Sequence, residues 1–372
     1  MSRLVATMAL GALGFAALFV ERDANANPMD LAPERLTQPC APNPVPCGAA
    51  QVNAAGTGFD TNYYRADNDA WAKLMSTYAM AMAPTAMHPA RTTGYGGFEL
   101  SLFGTFTTID KNERYITRGT EGPITDGKKF SSSNGSPDSM LQIYGVSGRK
   151  GLPYGFELQG SVGYMANTEL VILGGGIRLA PFEGFRKLFD VSVGGYVHTL
   201  TGTSKVKITV PSFDVQVSRR FPIANQVVFQ PYVGWQMVWI NADSGVIDTT
   251  PDRDGLGDCN ARPATAAERA AGDTGEFHCQ NKTGGAISGD AIGSPAKLDL
   301  NNNVVFRNMR AYRRQRALFG LSWRWENLSV VLPHVAMELA DPESGAPDDA
   351  AKARIKGLAK QWTFGAMVGL AW

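Results

Sequence analysis

The chain has 372 residues, of which 41 are glycine, 10% aromatic and only 19% charged, with a formal net charge of +1. That balance excludes the basic surface that a nucleic-acid partner requires. Past the N-terminus no run approaches the ~20 apolar residues of a membrane-spanning helix, which excludes a helical membrane protein.

Residues 1–26 have the pattern of a secretory signal peptide. Arg3 gives a basic start, residues 4–20 are apolar, and Ala24-Asn25-Ala26 is a small-x-small site, placing cleavage before Asn27. A membrane anchor is the competing reading, and the run is slightly short for one. An exported chain with an even number of cysteines suggests disulfides. Proximity pairs Cys40 with Cys47 and Cys259 with Cys279.

Residues 27–90 do not alternate. Residues 37–48 are proline-rich, and a helix is expected over 68–82, capped by Asp67, Asn68 or Asp69 and stopped by Pro84. Trp71, Leu74, Met75, Tyr78 and Met82 form an apolar stripe on it. Two placements stay open for this segment, under a barrel in the periplasm or inside it as a plug. The plug arrangement resembles that of the fatty-acid transporter family.

From residue 91 the chain becomes a series of period-two segments, the repeat of a β-strand with two unlike faces. Phe98, Leu100 and Leu102 oppose Glu99 and Ser101; Leu158 and Val162 oppose Glu157, Gln159 and Ser161. The pattern continues with Leu173 and Ile177 against Arg178, Val193 and Val197 against His198, and Phe213 and Val215 against Asp214 and Gln216. Val233 and Trp235 oppose Gln230 and Gln236, Phe319 and Trp323 oppose Arg324, and Val331 and Val335 oppose His334 and Glu338. The last strand, KQWTFGAMVGLAW, carries Trp362, Phe364, Val368, Leu370 and Trp372 on one parity. Segments at 140–148 and 360–372 bring the count to ten. The three long links, 111–137, 242–302 and 341–359, all fall on the same parity of connection, and the intervening links are short. Long loops at one end and short turns at the other fit an outer-membrane barrel and are not required of a soluble sandwich.

The terminal strand resembles the C-terminal signal of bacterial outer-membrane β-barrel proteins, an alternating strand closing on an aromatic residue. The resemblance implies recognition by the barrel assembly machinery and an outer-membrane location. The expected fold is therefore all-β, an antiparallel transmembrane β-barrel of about ten strands over residues 91–372, preceded by a short, partly helical N-terminal segment.

The expected lumen lining is Glu99, Glu157, Gln159, Arg178, Asp214, Gln230, Gln236, Arg324, His334 and Glu338. Two functions follow from so polar a lumen. One is a narrow channel or transport-related barrel for small solutes. The other is a non-conducting structural or surface-binding barrel that presents a disulfide-bearing loop. Within the 242–302 loop, Asp252, Asp254 and Asp258 flank a turn glycine and suit an oxygen-seeking cation. That run resembles a single thrombospondin type 3 calcium repeat, so Ca²⁺ is an expected ligand, with a simply solvated acidic loop as the alternative. No other cofactor is called for. Residues 307–316 carry five arginines. Arg313, Arg314 and Arg316 are the expected contacts to lipopolysaccharide phosphate, beside the membrane lipid itself, with pairing to acidic loop residues as the alternative. His198 and His334 face inward, but no nucleophile elbow accompanies them, so no enzymatic activity is expected. The oligomeric state is left open.

Overall fold

The computed structural model describes residues 27–39, 64–122, 133–184, 188–223, 227–248, 260–263, 266, 270, 277–280 and 303–372. Ten long antiparallel strands close into a barrel. They are β1 (Phe98–Thr108), β2 (Met140–Gly151), β3 (Phe156–Met165), β4 (Val171–Phe182) and β5 (Asp190–Thr201). The second half consists of β6 (Val206–Ser218), β7 (Val227–Ser244), β8 (Met309–Trp325), β9 (Leu328–Glu338) and β10 (Trp362–Ala371). Each strand pairs with its sequence neighbours, and β10 closes on β1 with Leu370 opposite Leu100. Closure removes the exposed edges that an open sheet would leave.

Alternation sets the faces as the pattern predicts. Leu102 is 60% exposed while its neighbour Ser101 is 2% exposed. Leu158, Val162, Ile177, Val233, Phe319, Val368 and Leu370 share the exposed outer face. Aromatic side chains gather at both margins of this band. Phe98 packs on Trp372 and Phe229 on Trp323 at the short-turn end, and Phe106 on Tyr144 toward the other. Ten residues of a strand tilted by about 40° span about 25 Å, the height of a hydrocarbon layer. Among the described residues no helix is long and apolar enough to cross a membrane, which says nothing of a barrel.

One facing departs from the simple alternation. Val331, expected on the outside with Val335, is fully buried toward the lumen, while Leu332 is 56% exposed. The register of β9 shifts between Val331 and His334, around Pro333. Proline has no N–H to give the ladder, so the strand slips by one residue there and the parity changes.

Two long links carry short helices, α2 (Arg114–Gly119) and α3 (Asp349–Arg354). The helix over 68–82 forms as expected, as α1 (Asn68–Met82). Asp67 is its cap, accepting the Ala70 N–H at 3.0 Å. Ala83 is extended and Pro84 forbids continuation. α1 lies inside the barrel rather than beneath it. Trp71, Leu74, Met75, Tyr78 and Ala79 are each 0% exposed, and Ser76 and Thr77 on the opposite side are buried as well. The whole circumference is enclosed, so the expected stripe is only part of its packed surface.

Candidate functional site

The lumen and its contents form the site, and its two halves differ. In the half toward the long loops most of the inner wall is apolar, with Arg314, Glu338 and Gln361 on one side. Leu141, Ile143, Met165, Ile172, Leu200, Ile208, Val210, Val238 and Ile240 surround α1 in one buried cluster. Trp71 stacks on Phe306 with ring centroids 4.6 Å apart. A helix bonds its own backbone, so an apolar wall can enclose it without leaving polar groups unmet.

Below Met82 the chain runs to β1 without regular secondary structure and bonds itself at isolated turns, such as His88 N–H to the Ala86 carbonyl. There the wall becomes a set of donors. His198 Nδ1 donates to the Met82 carbonyl at 2.7 Å, and Gln236 Nε2 to Pro84 at 2.8 Å. Arg316 Nη2 donates to the carbonyls of Ala83 and Pro84. Gln216 Nε2 donates to Ala86 at 3.1 Å and Arg178 Nη2 to Pro89 at 2.6 Å. Higher up, Arg314 reaches Ser76 and Gln361 reaches Thr77 at 3.3 Å. Buried backbone carbonyls without partners are costly, and these side chains supply donors.

The same half holds a buried charge network. Arg149 bridges Glu99 at 2.6 Å and Glu157 at 3.3 Å, and Arg178 lies 3.7 Å from Glu157. Arg178 Nη1 donates to His88 Nδ1 at 2.6 Å, which leaves His88 Nε2–H to donate to Gln159 at 3.2 Å. On the long-loop side, beside α1, Arg314 holds Glu338 in a bidentate pair with both contacts at 2.5 Å. Tyr232 Oη and His334 Nδ1 are 2.7 Å apart. A buried charge persists only when paired and hydrogen-bonded, and each of these carboxylates is.

Of the expected lining, Glu99, Glu157, Arg178, Asp214, Gln230, Gln236, His334 and Glu338 are buried on the inner face. Gln159 is half-buried against His88. Arg324 is corrected. It keeps the inner parity but lies at the short-turn mouth, exposed, donating to the Glu326 carbonyl. Arg314 and Arg316 are corrected too. They are 3% and 1% exposed, turned into the lumen, and cannot reach lipopolysaccharide. They share the parity of Leu318 and Ser322, and only Arg313 of the three points outward. A run of arginines in a strand divides between two faces like any other run. The calcium candidates Asp252, Asp254 and Asp258, the cysteines Cys40, Cys47 and Cys259, the Cys279 side chain and the signal sequence lie outside the described residues.

His198 also faces Ser161, with Nε2 and Oγ 3.4 Å apart. Its Nδ1–H is committed to a backbone carbonyl rather than a carboxylate, so the pair lacks the anion that would stabilise an imidazolium. Glu338 is engaged by Arg314 and not by His334.

Sequence reasoning missed His88, Arg149 and Gln361 as members of the network, and the apolar upper wall altogether. A signal for the wall was present. Val171-Ile172-Leu173 and Val238-Trp239-Ile240 are apolar on both parities, which is how a strand covered on both faces reads.

One inner cavity, bounded by Met82, His88, Arg149, Ser161 and Tyr196, has a volume of about 50 Å³. That is room for one or two waters, each taking about 30 Å³.

No family model and no curated protein matches the chain. Solved structures with a similar chain path are bacterial outer-membrane barrels. One is Ail, the attachment invasion locus protein of Yersinia pestis, in complex with sucrose octasulfate. It is 10% identical, with 75% of this chain and 99% of that chain covered at a TM-score of 0.20. Another is the KdgM porin, 8% identical, covering 73% and 99% at 0.24. A third is the translocator domain of the autotransporter NalP from Neisseria meningitidis, 9% identical, covering 75% and 88% at 0.22. At these values the likeness is one of general form. The class rests on the barrel itself, a closed ten-stranded antiparallel cylinder with an apolar outside and a filled inside.

Proposed function

We propose that the chain is an integral outer-membrane barrel that is sealed, as folded, by its own residues 68–93 and does not conduct. The observation that carries this reading is the occupied lumen, where a buried helix and an extended segment are held by side chains of the wall from end to end. The barrel then acts as a scaffold for its long-loop end. Exposed Arg307, Arg310 and Arg313 lie toward that end, where lipopolysaccharide phosphates are the chemistry they suit. Planar-bilayer recording of the purified protein tests the seal. The expected result is silence from the native chain, and a stable open state would overturn it.

A second reading is transport of small polar solutes, gated by withdrawal of the segment. The charged wall of Glu99, Arg149, Glu157, Arg178 and Asp214 favours it, because those residues would line a polar passage if the segment left. Recording under applied voltage separates the two, since only a gated barrel should open reversibly with the chain intact.

A further inference from the structure

We propose that the barrel displays its own N-terminal segment on the cell exterior, with residues 68–97 threading the lumen once from the long-loop end to the short-turn end. The inference rests on the membrane reading above and adds a direction to it.

The contacts of this segment act as a ruler. Residues 27–37 touch the long-loop end and only that end. Met29 N donates to Asn167 O, and Ala32 N to Gly119 O. Arg35 Nη1 donates to the carbonyls of Thr120 and Glu121 at 2.9 and 2.8 Å, and Glu34 pairs with Lys205 at 3.1 Å. These partners come from three different long-end links. A fourth supplies Arg307, whose N–H meets Asn68 Oδ1 at the start of α1. The α1 helix then descends about 22 Å at 1.5 Å per residue. Its far end meets His198 and Arg316, and the extended chain meets Gln236, Gln216 and Arg178 in turn. At the bottom, Thr92 bonds Glu183, Thr93 bonds Glu157, and Gly97 accepts from Gly151. All three partners sit at the short-turn end, where β1 begins.

A single pass has one topological consequence. The chain enters β1 at the short-turn end, where Trp372 also lies against Phe98. The described residues before Asn68 therefore start from the opposite end. Thr37–Pro39 pairs antiparallel with Tyr64–Ala66, so both flanks of residues 40–63 are fixed at that end too. If the long loops face outward, as in barrels of this class, the segment before α1 is on the surface. The seal and the display are then the same device. The helix that closes the lumen is the stem of what is presented outside.

The test uses the full chain in cells, with one short epitope per variant and an antibody that does not cross the membrane. Epitopes are placed after Gly56, after Gly357 in the exposed 339–361 link, and after Tyr154 in a short turn. Heat-modifiable gel mobility confirms that each variant has closed its barrel. The expected result is staining of intact cells for Gly56 and Gly357, and of Tyr154 only after permeabilisation. Staining at Gly357 but not at Gly56 would overturn the threading while leaving the membrane reading intact. Intact-cell staining at Tyr154 alone would reverse the orientation and overturn the display. No staining of intact cells at any site, with heat-modifiable barrels, would remove the outer-membrane reading and the proposal together.

Discussion

The upper and lower halves of the lumen solve one packing problem in opposite ways. Both enclose a piece of the same N-terminal segment within the same ten strands. The upper half uses mainly leucine, isoleucine and valine around a helix, with the Arg314–Glu338 pair on one side, and the lower half uses arginine, glutamine and glutamate around an extended chain. The difference follows from backbone hydrogen bonding. A helix arrives already satisfied and asks only for volume, while an extended segment brings free carbonyls that need donors. The wall composition changes where the secondary structure of its contents changes, near Met82.

The sharpest way to break this contrast is to put a charge where only volume is wanted. Leu74→Asp, at a fully buried position on α1, should expel the helix, because an unpaired carboxylate cannot remain in an apolar lumen. Loss of protease resistance in residues 68–82, with the barrel still heat-modifiable, would report it, and the same variant should conduct. Removing volume instead is the milder form. Trp71→Ala deletes the ring stacked on Phe306 and should cost about 3–5 kcal/mol of helix docking, seen as a lower unfolding midpoint.

The break at a charged contact beside the helix is Arg314→Ala. It leaves Glu338 buried without its bidentate partner and should cost about 3–5 kcal/mol. Arg314→Ala with Glu338→Ala should recover part of the loss, and a double variant no better than the single would count against the pair as the cause. A smaller effect comes from the cap above the lumen. Burial raises the Asp30 carboxyl to about 6 from an ordinary 3.8, outweighing the Glu169 N–H bond that lowers it. The folded cap therefore holds this proton more tightly than the free chain does. Its attachment should weaken as pH rises from about 4 to about 6, then stay level. Hydrogen exchange of residues 29–36 would follow this, and Asp30→Asn should flatten the profile. Smallest of all, Arg313→Ala should change stability by about 0.5 kcal/mol or less, since its side chain is outside the lumen. Equal losses for Arg313 and Arg314 variants would contradict the division of faces.

Glycine makes room for the extended part of the segment. The sequence reading weighed the plug against a small lumen filled by its own side chains. Several inward positions carry no side chain. At Gly365 an added Cβ would come within 2.5 Å of Met87 Sδ, so the segment occupies the room that the missing side chain leaves.

Period-two alternation by itself determined the strands, their count, the outward faces and most of the lining, because a pleated strand in contact with lipid on one side leaves its polar residues one direction to point. The polar residues from Glu99 to Glu338 could be assigned that way. Alternation carries no information about what occupies the space enclosed. That α1 sits inside and that Arg314 and Arg316 hold it rather than a lipid were decided by contacts between residues hundreds of positions apart. Such contacts exist only once the cylinder has closed around its own beginning.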